Sequence, residues 1–151
     1  MSNLKTVYEQ DFHLWLCHNV QLLRERKISE IDIENIAEEL DAMGKTQHRE
    51  LVSRLKILFA RLLKWQFEPE HRSGSWKRTI VEQRHQIEQL LEMSPSLNHQ
   101  IDQKIPKAYK KAVEYAAAET GISESVFPRN CPYPLEDALN KDFYPESKLE
   151  T

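Results

Sequence analysis

DIENIAEELDAMGKTQHRELVSRLKILFARLLKWQF, Asp32 to Phe67, is the stretch that decides the architecture. Ile36, Leu40, Met43, Gln47, Leu51, Leu55, Leu58, Leu62 and Trp65 recur every three or four residues, which places them on one face of a single α-helix. The phase continues across Gly44, and a mid-helix glycine costs only about 1 kcal/mol relative to alanine, which tertiary packing offsets. Asp32 marks the start: Ile31 and Ile36 flank it as a hydrophobic staple, and Glu34 falls in the first turn, where the helix dipole favours an anion. Pro69 marks the stop. The stretch predicts one long helix over about 33–67. Its first half, IENIAEELDAMGK, reads as half exposed. ILFARLLKWQF, from Ile57, is apolar on more than one face and reads as the centre of a bundle.

Toward the N-terminus, Thr6 and Glu9 form a capping box, and Phe12, Trp15, Leu16, Val20 and Leu23 keep helical spacing as far as the basic RERK. One helix from near Val7 to about Lys27 is expected. Toward the C-terminus, Ser75 is placed to cap a helix carrying Trp76, Ile80, Ile87, Leu90 and Leu91. SPSL at Ser94 then opens a stripe of Leu97, Ile101, Ile105, Ala108, Tyr109, Ala112 and Ala116. Pro106 lies inside that stripe and predicts a kink or two abutting helices, while Gly121 suits a left-handed cap. From Val126 onward the chain is proline-rich, with one short helix expected from about Leu135 to Asn140 and Phe127, Tyr133, Phe143 and Tyr144 as anchors. The expectation is an all-α, single-domain bundle of four to five helices over 1–125, with an irregular arm over 126–151 packed on the same domain.

The 151 residues suffice to bury a sizeable core, and 30% charged with 40% hydrophobic residues is ordinary for a helical protein. No segment approaches the ~20 apolar residues of a membrane span, and the N-terminus lacks a signal-peptide core. A cytoplasmic protein is expected. Cys17 and Cys131 lie far apart outside any CxxC pattern, so both read as reduced thiols, Cys17 half buried on a helix. A net charge of −3 disfavours a chain built to coat nucleic-acid phosphates. No motif implies a cofactor.

Three groups of side chains carry the chemistry that is available. Glu38 and Asp41 share a helix face with Glu34 and His48, and Glu82 with His85 has the Glu-x-x-His spacing of di-metal bundles. Glu38, Asp41, His48, Glu82 and His85 together would form a metal site, set against the plainer reading of solvated side chains. The second group is basic: Arg72, Arg78 and Arg84, with His71, Lys77 and Trp76, could hold an anion or a nucleic-acid backbone. Carboxylates on the long helix, Glu38, Glu39 and Asp41, would equally serve as partners for those arginines. The third group, the serines, occupies cap positions rather than a nucleophile elbow.

YEQDFHLWL from Tyr8, IAEELDAMGK from Ile36, LLKWQFEPEHRSGSW from Leu62, SPSL at Ser94, and AAAETG with FPRNCPY from Phe127 together resemble the bacterial family grouped as domain of unknown function 29. The resemblance runs from about Tyr8 to Pro145 and implies an all-α fold with no activity attached. Family members often carry a histidine just before LLKW, where this chain has Ala60 and Arg61. Of the matching positions, Glu38, Glu39, Arg72 and Arg84 are least explained by capping or packing. With Asp41 and Arg78 they form the candidate polar site. The function expected is that of a non-enzymatic interaction or regulatory protein, with a protein partner or a second copy as its counterpart. The alternatives are a metal-binding protein or hydrolase using the carboxylate and histidine cluster, and nucleic-acid or anion binding at the Arg72–Arg84 corner.

Overall fold

The computed structural model describes residues 4–148; residues 1–3 of the expected bundle and 149–151 of the expected arm lie outside them. Among the described residues the chain is all-α, with six helices: α1 (Leu4–Gln10), α2 (Phe12–Arg24), α3 (Ile33–Phe67), α4 (Gly74–Met93), α5 (Asn98–Thr120) and α6 (Leu135–Leu139). The long helix is unbroken across Gly44. The chain divides into two compact units at residues 46 and 47, so that residues 33–46 of α3 belong to the first and 47–67 to the second.

In the first unit, the single helix expected from Val7 to Lys27 is two helices. The Asp11 carboxylate accepts a hydrogen bond from the Leu14 amide at 3.0 Å, ending one helix and capping the next. Only Trp15 among the described large apolar residues of this unit is buried, 1% exposed. It is held by polar contacts as much as by packing. Its indole N–H donates to Asp32 Oδ2 at 2.9 Å, and the buried Asn19 both accepts from the Asp32 amide and donates to the Trp15 carbonyl, each at 2.9 Å. Tyr8 and Phe12 lay their rings against the indole at 4.8 and 5.6 Å.

The second unit holds a continuous apolar core. Leu51, Leu55, Leu58, Phe59, Leu62 and Leu63 of α3 are fully buried with Ile80 and Ile87 of α4. Tyr109, Ala112 and Ala116 of α5 and Phe127, Tyr133 and Ala138 beyond it complete the cluster. Two runs of three consecutive buried residues, Leu58 to Ala60 and Leu62 to Lys64, explain why the period of this half looked apolar on several faces: helices pack on more than one side of it. Helix α4 is capped by Ser73, whose hydroxyl accepts from the Trp76 amide, and not by Ser75 as expected; Ser75 lies inside the first turn and hydrogen-bonds Ser73. Helix α5 runs as one helix through Pro106 and ends on Gly121 at φ 78°, whose amide donates to the Ala117 carbonyl.

The proline-rich segment packs on this core through Phe127 and Tyr133, with Phe143 and Tyr144 half-buried. Gln66, at the end of α3, fastens it twice. Its side chain accepts from the Tyr133 hydroxyl at 2.7 Å, and its carbonyl accepts from the Lys148 amide at 2.8 Å.

Candidate functional site

The candidate polar residues divide three and three between the two units. In the first, Glu38 is exposed, Glu39 accepts a short hydrogen bond from the Tyr8 hydroxyl, and Asp41 pairs with Lys45 one turn on at 3.0 Å. In the second, Arg84 is 3% exposed and donates from Nε to the Ala138 carbonyl and from Nη2 to the Phe143 carbonyl, both at 2.7 Å. Its Nη1 reaches the Lys141 carbonyl at 3.4 Å, and its guanidinium lies 5.2 Å from the Tyr144 ring. Burial pulls its pKa below the ordinary arginine value without removing the charge. Arg72 donates to the Trp65 carbonyl at 2.8 Å and stacks 4.7 Å above the Trp65 ring. Arg78 is exposed.

Arg72 and Arg84 thus meet backbone carbonyls and aromatic faces instead of the carboxylates offered as possible partners. A planar guanidinium fork suits that task, because one side chain can cap several carbonyls of an irregular segment that has no ladder of its own. Arg84 is a clamp on the arm. Trp76, expected in the core, is half-buried, with the Lys64 ammonium 4.5 Å from its ring and that ammonium 3.2 Å from Glu119. Arg61 reaches the same carboxylate oxygen at 3.1 Å.

Of the possible metal ligands, Glu82 accepts from Gln86 at 2.8 Å, His85 is exposed, and His48 is half-buried with Nδ1 enclosed and without a hydrogen-bond partner. Among the described residues no three His, Cys, Asp or Glu side chains come together in a way that could hold a metal ion. Cys17 is exposed, not half-buried, and its sulfur lies 3.6 Å from His13, one turn earlier. Burial pushes the Cys131 thiol up, which keeps it protonated and poorly nucleophilic at neutral pH. Burial likewise pushes the Tyr109 and Tyr133 phenols well above the ordinary tyrosine range; Tyr109 donates to the Pro128 carbonyl at 2.6 Å.

Among the described residues, surface features remain once these contacts are accounted for, and three bear on function. One is a groove of about 1040 Å³ beside α5, lined by Ile105, Tyr109, Val113, Phe127 and Cys131 with Lys110 and Arg129. A second, of about 350 Å³, is lined by basic side chains of α3 and α5. The third is the apolar flank of α2, where Phe12, Leu16, Val20 and Leu23 are 38–44% exposed. The spacing in the sequence marked this stripe as one helix face without saying what covers it. The sequence reading overlooked the basic groove, although Lys104, Lys107 and Lys111 recur at three and four residues in plain view.

No helix among the described residues is long and apolar enough to cross a membrane. Neither the curated proteins nor the solved structures hold a significant match to the chain. The family model described as Domain of unknown function DUF29 matches residues 7–144, nearly the whole sequence, and the chain belongs to that family.

Proposed function

We propose that the chain is a non-enzymatic, cytosolic interaction protein whose N-terminal unit docks a basic amphipathic helix of a protein partner. The apolar flank of α2 carries this reading. Phe12, Leu16, Val20 and Leu23 follow one another at four, four and three residues, the spacing with which one helix receives the apolar face of another. A shallow depression of about 520 Å³ runs beside them, lined by His13, Leu16, Cys17, Val20 and Arg24. Contiguous apolar surface of this kind is uncommon on a protein that acts alone.

Charge selects the partner. The first 46 residues hold five lysines and arginines against nine aspartates and glutamates. A second copy would bring the same acidic surface against it, and like charges facing across an interface oppose association. A partner helix with a lysine- or arginine-rich polar face meets both requirements.

The test is binding of two synthetic amphipathic peptides that share a leucine face and differ in carrying lysine or glutamate elsewhere. The lysine peptide should bind, with amide shifts centred on residues 12–24, and the glutamate peptide should not. Leu16→Ser with Val20→Ser should weaken binding by about tenfold or more while leaving helicity unchanged, since both side chains are already partly in water. Equal binding of both peptides contradicts the reading. A concentration-dependent dimer lost in the same double variant would assign the face to a second copy instead.

A further inference from the structure

We infer that the groove between the second half of α3 and α5 binds a small, multiply charged phosphate-bearing anion. Lys56 and Arg49 of α3 and Lys104, Lys107 and Lys111 of α5 line it together with His48, and no carboxylate does. On α5 the three lysines stand three and four residues apart, so their ammonium groups rise along one face of that helix. Among the described residues no carboxylate forms an ion pair with Lys56, Lys104, Lys107 or Lys111. This concentration of positive charge stands out in a chain whose net charge is −3.

Like charges gathered in one cleft repel one another, and a bound anion relieves that repulsion at every lysine at once. A tetrahedral phosphate chain offers several acceptor oxygens, which matches ammonium groups arriving from two helices. His48, half-buried, adds an imidazole to the lining. The size of the groove, about 350 Å³, suits a diphosphate or triphosphate group rather than a duplex. Val52 and Ser53 complete the lining, which holds no Phe, Tyr or Trp ring of the kind on which single strands stack their bases.

Calorimetric titration of the full chain with inorganic tripolyphosphate at low ionic strength tests the inference. One equivalent should bind, and affinity should fall as sodium chloride is raised, because the contacts are ionic and partly exposed. Lys107→Ala with Lys111→Ala should weaken binding by about tenfold or more. Lys27→Ala with Lys141→Ala removes the same charge elsewhere and should change it less than about twofold. Thermal melts of both variants report whether the fold is kept, and a tripolyphosphate-induced rise in melting temperature seen in the wild type and in the Lys27/Lys141 variant alone gives a second readout. No binding at low salt overturns the inference. So does equal weakening in both variants, or an oligonucleotide that binds through the same lysines more tightly than tripolyphosphate does.

Discussion

The two halves of α3 belong to one unbroken helix and live in opposite surroundings. From Gln47 onward its apolar residues are sealed in a cluster shared with α4, α5 and the arm, with six leucine and phenylalanine side chains fully buried. Before Thr46, Ile33, Leu40 and Met43 are 60–65% exposed. The same contrast holds between the units as wholes. Among the described residues, nine of the thirteen large apolar side chains found exposed lie in the first unit, where Trp15 alone of that kind is buried. An apolar stripe of given phase can therefore seal a core or furnish a surface, and its neighbours decide which. The second unit is held chiefly by area removed from water. The first is held by a polar latch of Trp15, Asn19, Asp32 and Asn35, whose hydrogen bonds each contribute about 1 kcal/mol.

The largest expected effect comes from opening the sealed half. Leu58→Ala removes a fully buried side chain and should destabilise the second unit by about 2–5 kcal/mol in denaturant titration. Leu16→Ala, the same chemical change on α2, should shift stability by no more than about 0.5 kcal/mol. Comparable losses at the two positions would break the contrast.

Next in size is the clamp. Arg84→Ala leaves the Ala138 and Phe143 carbonyls without their donor and should cost about 2 kcal/mol. Limited proteolysis should then cut within residues 126–148 before it cuts α4 or α5. Arg84→Lys should rescue little, because one ammonium cannot span carbonyls that a forked guanidinium reaches together.

Smaller effects sharpen the account of the first unit. Trp15→Phe keeps the ring and loses the donor to Asp32, which should loosen residues 4–46 by about 1 kcal/mol in amide exchange. Burial pushes the Asp32 carboxyl up, but hydrogen bonds from Asn35 and Trp15 outweigh it and hold the pKa below the ordinary value. The folded value lies below the unfolded one of about 3.9, so the stabilisation is fully present above roughly pH 4 and fades as pH falls through the folded value. Asp32→Asn should flatten that acid dependence in exchange rates of the first unit and leave the second unchanged.

How much of this was legible follows from what kind of signal each feature leaves. The long helix was readable end to end because its period, cap and stop all lie within one stretch. The short α6, the Gly121 cap and the arm's aromatic anchors were readable for the same reason. The break at Asp11 was hidden because the apolar stripe carries on past it, and a cap there looks like any polar residue on a helix. Helical phase tells which residues share a face and not whether another element covers it, so the spacing of Leu16 and Val20 did not show that their flank lies open. Asp32 was recognised as a helix start, but its role as acceptor for an indole 17 residues earlier needs the fold. Arg84 was singled out as least explained by capping or packing, and in the structure it is a buried clamp on the arm. Its partners are backbone carbonyls, which every residue possesses and which leave no mark in the sequence.

Native-state hydrogen exchange along α3 tests the central claim most directly, because one continuous helix supplies both halves. Amides of residues 51–63 should open only with global unfolding of the second unit, while amides of residues 37–46 should exchange through a local opening at least about tenfold faster. Uniform protection from Ala37 to Leu63 would contradict the account, for it would mean that the exposed first half is held as firmly as the sealed second.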